Sequence, residues 1–453
     1  MHRIAIVGGG PGGWFAAHLL EQKSRGRLDI TLLEAADRVG GKVLTRQFDA
    51  APVIYEAGTA ELYRYLYAPD PLWKLVESLG LKTVNMAGAA VVMDHHVLRG
   101  PADIRHHFGD KTARAVEKFD AFARKARTPK DFTHAGGTGD NQHPLARRTF
   151  ESLLSGVGDA DAERYLRFAV HSDLGTEPQQ TSGLYGLDNF LLDRTDYCQL
   201  YSIEGGIERL PRAIERGLSA VIKKNAPVRE VAAARDGKYR VVHGQGSSLL
   251  AEEFDGVMVA LPVYWLPMIN WVGKRLAGAA ARHHAYYHRP AHYLRITILF
   301  RRPFWRDQIS DTYFQLDAFG GCCIYDEGTR YDAGSYGVLS WLVGGDHALV
   351  MNNLSDAVLV EQALASLPPQ MEAEKELVVE AQVQRWLGTV NAQPGGVPIR
   401  GRKRRHFLAP KAYPGLLVIG DYLFDSTING AMESAEVATD LMLGYLDVSS
   451  GGV

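Results

Sequence analysis

The chain contains very little cysteine. Cys198, Cys322 and Cys323 are the three cysteines among its 453 residues. Three cysteines cannot build a disulfide framework, and their spacing does not match a zinc site. Because Cys322 and Cys323 stand in an apolar stretch, we interpret them as small buried residues; the alternative is a vicinal redox pair. This cysteine usage predicts a protein of a reducing, cytoplasmic compartment.

Long apolar stretches and a dominant charge are also missing. No run of about 18 or more apolar residues occurs, so we expect no membrane-spanning helix. The first strand begins by Arg3, which leaves no room for a signal peptide. The formal net charge is -2 and the sequence pI is about 6.8, which gives no electrostatic case for binding nucleic acid or a membrane surface. The histidine pairs lack acidic companions at metal-ligand spacing, so we expect no metal. A small-molecule partner is favoured.

What the sequence does contain begins with a glycine-rich turn. The buried strand that starts at Arg3 leads into Gly8, Gly10 and Gly13, in the pattern G-x-G-x-x-G, and a helix follows. The first glycine permits a tight turn, the second admits a pyrophosphate, and the third lets the helix pack on the strand. Alone this pattern is weak evidence, since a strand, turn and helix can pack in this way with no ligand.

An acid at the end of the next strand strengthens the pattern. Glu34 lies about twenty residues beyond the last glycine, where dinucleotide-binding folds place a carboxylate on the ribose hydroxyls. A phosphate on that ribose would be repelled, so NADP is disfavoured. Two further glycine turns follow, at Gly40–Gly41 and at Gly58. A simple nicotinamide-binding domain has no need of them.

The chain is too long for one core, so two domains are expected. Strand-rich sequence recurs in separated blocks: Val228–Val231 with a hairpin partner at Tyr239–Val242, a buried strand ending at Pro262, and a last block that runs through Gly420–Asp421 into a helix from Asn429. Residues 103–194 have mainly helical periodicity. The stretch Leu294–Phe300 alternates between an apolar face and a face with Arg295 and Thr297. One domain is therefore assembled from several parts of the sequence.

Taken together, these motifs resemble the flavin-containing amine oxidase superfamily, which includes monoamine and polyamine oxidases, L-amino-acid oxidases, protoporphyrinogen oxidases and carotenoid desaturases. The resemblance also rests on Pro303-Phe304-Trp305 and Arg385-Trp386, and spans nearly the whole chain in order. It implies an α/β fold: a discontinuous Rossmann-like FAD-binding domain of the glutathione-reductase type (residues 1–82, 200–265 and 395–453) and a substrate domain of mixed sheet with a helical insert (residues 83–199 and 266–394).

The resemblance implies FAD as the cofactor. Lys42 stands where the family usually has an arginine near the diphosphate, which keeps the charge but loses the guanidinium fork. No cysteine occurs in the last block, so FAD is expected to be bound non-covalently. The residues implied in cofactor binding are Gly8, Gly10, Gly12, Gly13, Glu34, Ala35, Gly41, Lys42, Gly58, Thr59, Val228, Gly420, Asp421, Thr427, Ile428 and Ala431.

Two departures from the family concern catalysis. Arg295 occupies the position of a family lysine that holds a water near the flavin, and an arginine cannot act as a general base. It could pair with a substrate carboxylate; the alternative is an arginine that points to the surface. Thr427 or Ile428 replaces one tyrosine of an amine-binding pair. Trp386 stands where the family has an aromatic residue near the flavin, or is a packed core residue. Arg295 and Trp386 are the predicted catalytic residues.

These residues predict hydride transfer from a small amine or amino-acid-like substrate to the flavin, which O2 or another acceptor reoxidises. The alternatives are a desaturase or dehydrogenase of a non-amine substrate and a non-catalytic flavin-binding protein. The basic segment Arg400–Arg405 is interpreted as solvated surface, with docking of an acidic protein partner as the alternative.

Overall fold

A computed structural model describes residues 1–133, 143–246, 248–371, 375–398 and 400–448. Its strands, in chain order, are β1 (His2–Val7), β2 (Leu28–Leu33), β3 (Thr45–Gln47), β4 (Ile54–Glu56), β5 (Leu62–Tyr65), β6 (Thr83–Asn85), β7 (Val91–Met93), β8 (His96–Leu98), β9 (Cys198–Ile203), β10 (Val221–Lys223), β11 (Val228–Ala233), β12 (Tyr239–His243), β13 (Leu250–Phe254), β14 (Gly256–Val259), β15 (Asn270–Val272), β16 (Pro290–Phe300), β17 (Tyr313–Leu316), β18 (Cys322–Asp326), β19 (Gly337–Gly344), β20 (Val378–Asn391) and β21 (Leu416–Val418).

Its α-helices are α1 (Pro11–Ser24), α2 (Pro71–Ser78), α3 (Pro101–Ala126), α4 (Glu151–Leu154), α5 (Ala160–Leu174), α6 (Gly183–Leu192), α7 (Arg209–Gly217), α8 (Lys274–Tyr287), α9 (Gly345–Met351), α10 (Asp356–Ala365) and α11 (Ile428–Tyr445). Several begin at a side chain that accepts a hydrogen bond from a free N–H group of the first turn. Asp159 accepts from Ala162 N at the start of α5, and Ser182 accepts from Tyr185 N at the start of α6. None of the described helices has the length and apolarity needed to cross a bilayer.

A five-stranded parallel sheet forms the first layer of the fold. Its strand order is β10-β2-β1-β14-β21, and every neighbouring pair is parallel. β14 and the last four residues of β1 are buried. One face of the sheet packs with apolar side chains of α1 and α11, and the other packs with side chains of β11 and β12, so both faces are covered as a parallel sheet requires. The five strands come from three distant parts of the chain, so folding must bring the two ends together.

A second sheet has the strand order β13-β12-β11-β15. The predicted hairpin is present as the antiparallel pair β11–β12. β15 pairs with β11 in parallel, although it lies beyond the predicted domain boundary at residue 265. This three-residue strand contains one buried apolar residue, Trp271, and so has no periodicity to reveal it. The domain boundaries remain a prediction.

The largest sheet has the order β20-β16-β19-β18-β17-β7-β8. The predicted alternation along β16 is present, with Leu294, Ile296 and Ile298 in one apolar cluster. β16 is a central strand, however, and both of its faces are covered. Arg295 and Thr297 are 0% and 2% exposed. The interpretation of Arg295 as an arginine that points to the surface is therefore wrong.

Helices α3 to α6 occupy the predicted helical part of the chain. They pack around an aromatic and aliphatic core that includes Phe119, Phe150 and Phe190, and α5 contacts β17, β18 and β19. A small three-stranded sheet, of order β5-β9-β6, adjoins the same core. Cys198, Cys322 and Cys323 are buried and unpaired in these layers, as small core residues would be.

Candidate cofactor and substrate site

The glycine turn after β1 is shaped by very close contacts. Gly8 has a φ of +102°, and a Cβ added to Gly13 would lie 1.9 Å from Gly8 O. A Cβ on Gly12 would lie 2.8 Å from Ile419 Cγ2. These glycines let α1 pack directly on β1 and on the residue after β21. Gly10, by contrast, is the N-cap of α1 without a side-chain cap, and a Cβ there would meet nothing nearer than Gly41 Cα at 3.9 Å. The N-terminus of α1 thus remains open for an anion.

Glu34 is bound to this turn. Its Oε2 accepts from Gly9 N at 2.6 Å, and its Oε1 accepts from Ala36 N at 2.7 Å. Its backbone oxygen accepts from Ala226 N at 2.8 Å, which brings the start of β11, Val228, to the same end of the sheet. The predicted ribose and adenine residues Glu34, Ala35 and Val228 therefore lie together.

Lys42 links the first and last parts of the chain. Its Nζ lies 2.9 Å from Asp421 Oδ2, and its backbone oxygen accepts from Thr59 N at 3.0 Å. A Cβ on Gly58 would lie 1.9 Å from Lys42 O, so this close approach requires glycine. Gly41, Lys42, Gly58, Thr59 and Asp421, which the sequence predicted separately, are neighbours in the structure.

The two predicted catalytic residues contact the same turn. Trp386 Nε1 donates to Ala57 O at 2.7 Å, and Arg295 Nη1 donates to Gly58 O at 2.9 Å. They lie on the adjacent strands β20 and β16 and serve consecutive carbonyl groups. The structure thus brings Arg295 and Trp386 to the predicted cofactor residues, while their catalytic role remains a prediction.

Arg295 has two partners that sequence reasoning missed. Its Nη2 lies 2.8 Å from Glu327 Oε1, and its Nε donates to Ser340 Oγ at 2.9 Å. Glu327 also binds Arg330, whose Nη1 donates to Ala60 O. Glu327 and Arg330 follow β18 in a short turn, and no motif marks them in the sequence.

The N-terminus of α11 closes the site. Thr427 caps the helix by accepting from Gly430 N at 3.0 Å, so Ile428 and Ala431 lie in its first turn. Burial raises the pKa of Asp425, which binds Thr427, to about 7. Asn429 Nδ2 donates to Tyr63 O at 3.1 Å, and its buried Oδ1 has no hydrogen-bond partner within the described ranges. Gly420 N donates to Ser434 Oγ at 3.0 Å, which fixes the preceding turn.

A cluster of acids and tyrosines adjoins this helix end and was not predicted. We call it the acid–tyrosine cluster; it consists of Glu61, Asp173, Asp193, Tyr63, Tyr293, Tyr313 and Tyr325. Tyr63 OH donates to Glu61 Oε1 at 2.9 Å, Tyr313 OH donates to Asp193 Oδ1 at 2.8 Å, and Tyr293 OH donates to Asp173 O at 3.3 Å. Glu61 Oε2 and Asp173 Oδ2 are buried, and nothing in the described part of the chain donates to them.

The acids of this cluster repel one another. Burial raises the pKa of Asp173 well above its usual range, and the charges of Asp193 and Glu61 raise it further. Burial likewise raises the pKa of Asp193, against the hydrogen bond from Tyr313, and Glu61 adds to the increase. A cation bound in this cluster would satisfy the carboxyl oxygens that have no donor and would favour the ionised form of the acids.

The basic segment is only partly solvated. Arg405 and His406 are 1% and 0% exposed. Arg405 Nη1 donates to Leu423 O at 2.7 Å, and Arg402 Nη2 lies 2.7 Å from Glu433 Oε1. The interpretation of the whole segment as solvated surface is therefore wrong for its C-terminal end, which supports the turn that follows β21.

The residues present fit a bound dinucleotide. An uncapped helix start, the carboxylate of Glu34 and the Lys42 ammonium form a row from β1 to the turn after β21. The orphaned Asn429 Oδ1 lies in the first turn of α11, which follows that turn. The described residues contain no group of three histidine, cysteine or acidic side chains placed to hold a metal.

Comparisons with known proteins agree with the inference of a bound dinucleotide. A family model described as flavin containing amine oxidoreductase matches residues 12–443. The flavin-dependent L-tryptophan oxidase of Lentzea aerocolonigenes is 24% identical over 96% of this chain and 97% of its own. The putrescine oxidase of Kocuria rosea is 25% identical over 69% of this chain and 67% of its own.

A solved structure of putrescine oxidase bound to putrescine superimposes with a TM-score of 0.72 at 18% identity, covering 98% of this chain and 99% of the other. The predictions of the family, of the α/β fold with a substrate domain, of a flavin cofactor and of an oxidoreductase are confirmed.

Proposed function

The chain belongs to the flavin-containing amine oxidoreductase family, and from that premise we propose that it is an FAD-dependent oxidase of a small cationic amine, with O2 as the final acceptor. FAD, when bound, supplies the oxidation chemistry by accepting a hydride equivalent from the substrate. The protein must then bind the amine, orient its C–H bond and exclude water.

We propose that the cofactor is held non-covalently by the row of residues described above. Glu34 would bind the ribose hydroxyls, the N-terminus of α1 and Lys42 the diphosphate, and the first turn of α11 the pyrimidine edge of the flavin. The three cysteines are buried, and none lies in the last part of the chain, after residue 323, which supports non-covalent binding. Acid precipitation should release all flavin into the supernatant; flavin that stays with the pellet would contradict this proposal.

The observation that supports a cationic amine is the acid–tyrosine cluster. It contains three carboxyl groups, and two of them have a buried oxygen without a donor in the part of the chain that the structure describes. The cluster begins two residues after Thr59 and adjoins Asn429 of α11 through Tyr63. Burial raises the pKa of Tyr185, and the charges of both Asp425 and Asp173 raise it further, which places Tyr185 between the cluster and the start of α11. A bound ammonium group would satisfy the free oxygens.

An amino acid fits this site less well. Its carboxylate needs a cation, and the predicted candidate, Arg295, is 0% exposed and binds Glu327, Ser340 and the Gly58 carbonyl. Trp386 keeps its proposed place beside the substrate, because its indole is partly exposed next to the Gly58 turn.

The test is anaerobic reduction of the FAD-loaded enzyme with putrescine, butylamine and L-tryptophan, followed by aerobic assays of peroxide and ammonia. We expect an amine to bleach the flavin and L-tryptophan to leave it oxidised. Bleaching by L-tryptophan alone would contradict the proposal. A product that lacks two hydrogens and retains its nitrogen would favour the desaturase alternative, and a flavin that no substrate reduces would favour a non-catalytic protein.

Variants connect the result to the cluster. Asp173→Asn should raise KM for the reactive amine at least tenfold and leave the rate of flavin reduction at saturation within about threefold, because it removes about 1.4 kcal/mol or more of cation binding. Glu204→Gln is the matched control, since Glu204 is 57% exposed. Equal KM values for the two variants would show that the acid–tyrosine cluster does not bind the substrate.

Two further proposals concern the protein's surroundings. A cytoplasmic location is supported by the cysteine usage of the chain.

Docking of an acidic protein at Arg400–Arg405 would depend on Lys403 and Arg404, which are exposed, because Arg402 pairs with Glu433 and Arg405 is buried. Charge reversal at Lys403 and Arg404 that leaves turnover and its salt dependence unchanged would argue against docking.

A further inference from the structure

Two arginines share one carboxylate beneath the Gly58 turn. Arg295, Glu327 and Arg330 are 0%, 0% and 4% exposed, and Glu327 binds both arginines through its two oxygens. Two cations against one anion give this buried triad a net charge of +1. Such a group is costly to bury, so its retention calls for a role.

One donor of each arginine reaches the same short segment of main chain. Arg295 binds Gly58 O and Arg330 binds Ala60 O, and Trp386 binds the preceding carbonyl, Ala57 O. The amide groups of the segment bind elsewhere: Ala57 N donates to Leu44 O and Thr59 N donates to Lys42 O. The turn is thus held from both sides, by main chain on one and by buried side chains on the other.

The charge is also held in a fixed position. Both guanidinium groups lie over the ring of Tyr325, at 5.1 Å and 5.2 Å from its centroid, and Arg330 lies 5.4 Å from the ring of Tyr331. Tyr331 in turn binds Glu56. Arginine stays protonated under these conditions, whereas a lysine in a buried site can lose its proton. The triad is therefore a permanent cation.

We propose that Arg295, Glu327 and Arg330 form a buried cationic support that holds the Gly58–Ala60 turn against the flavin and stabilises the negative charge that the flavin gains on reduction. This inference rests on the FAD placement proposed above. Arg330 and Glu327 act as positioning residues through the turn, and the arginine at position 295 thereby acquires a role that does not require proton transfer. Preorganised charge of this kind acts strongly in a site that excludes water.

The experiment is a measurement of the flavin midpoint potential of the FAD-loaded enzyme by equilibration with a reference dye. Arg330→Gln removes one positive charge, so the equilibrium should shift at least tenfold toward oxidised flavin, a potential lower by about 30 mV for a two-electron couple. Arg330→Lys keeps the positive charge and loses the planar guanidinium group. The equilibrium constant between the flavin and the dye should stay within threefold of the wild-type value, and FAD binding should be weaker.

The matched control is Arg306→Gln. Arg306 binds Asp326, the neighbour of Glu327, at 2.7 Å and is 35% exposed. The flavin midpoint potential of the Arg306→Gln variant should equal that of the wild type. An unchanged potential in Arg330→Gln would overturn the proposal. If Arg330→Gln does not retain flavin, Arg295→Gln removes the same charge from the other side of Glu327. If neither does, Arg330→Lys decides, because a tenfold displacement in that variant would also overturn the proposal.

The measurement needs no amine, so a failure of the proposed amine specificity leaves it valid. A protein that binds no FAD would instead contradict the cofactor placement itself.

Discussion

Lys42 and Asp421 are 379 positions apart in the chain, and Lys42 Nζ donates to Asp421 Oδ2 at 2.9 Å. Both side chains are largely buried, at 20% and 16% exposure. The pair joins the loop after β2 to the turn after β21, and it lies at the open N-terminus of α1. The charge of Lys42 is thus fixed where the proposed diphosphate would lie.

Removing that charge should weaken cofactor binding. In Lys42→Met the unpaired Asp421 carboxylate would repel the diphosphate, so we expect the Kd for FAD to rise about tenfold or more, equivalent to about 1.4 kcal/mol. Titration of apoenzyme with FAD, followed by flavin fluorescence, measures this. The double variant Lys42→Met/Asp421→Asn should recover part of the loss. Identical affinities for the single variant and the wild type would show that Lys42 lies away from the diphosphate.

A methyl group at Gly13 should abolish the site. Its Cβ would lie 1.9 Å from Gly8 O, so α1 would have to move away from β1. We expect Gly13→Ala to yield a protein without bound flavin and with a lower Tm. Gly217→Ala at the end of α7 is the control, because a Cβ there meets nothing within 4 Å. A yellow Gly13→Ala protein with wild-type Tm would disprove the close packing.

The acid–tyrosine cluster should control the acid limb of the pH profile. A cationic amine binds the ionised carboxylates, so kcat/KM should rise with pH as they ionise, at a pH above the usual carboxyl pKa of about 4. Asp193→Asn removes a charge that raises the pKa of Asp173, so the limb should move to lower pH by about one unit. The control Glu204→Gln should leave the limb in place. A limb that stays fixed in Asp193→Asn would exclude coupling between these acids.

Glu56 should make the fold less stable as the pH rises. Burial raises its pKa from 4.5 to about 7, although the hydrogen bond from Tyr331 opposes the increase. The folded chain therefore holds a proton that the unfolded chain has lost, and this stabilisation is complete below the unfolded pKa and disappears as the pH passes the folded one.

The expected loss between about pH 5 and pH 8 is about 2.5 kcal/mol, and Asp425 acts in the same direction. Glu56→Gln has no proton to lose, so the decrease in Tm between these pH values should be smaller than in the wild type. Thermal unfolding at both pH values measures the difference. A decrease equal to that of the wild type would mean that Glu56 ionises normally in the fold.

Local sequence signals were sufficient to predict the cofactor-binding framework. A tight turn, a close helix contact and an acid at the end of a strand can each be recognised from a few consecutive residues. This is why the sequence was enough to interpret Gly8, Gly10, Gly13 and Glu34. The strands β1, β2, β11, β12 and β16 were predicted for the same reason: their apolar periodicity is written in consecutive residues. The order of the motifs along the chain was enough to indicate the family and the flavin.

The surroundings of the reacting centre, in contrast, depend on packing between distant parts of the chain. Glu61, Asp173 and Asp193 belong to a loop, a helix end and a turn that share no motif, and they meet only when α5 packs on the large sheet and α6 packs on α5. Strand alternation placed Arg295 on one of two faces, but only the packing of other parts of the chain against both faces of β16 buried the arginine and gave it Glu327 as a partner. Contacts between distant residues depend on packing geometry, which local periodicity does not encode.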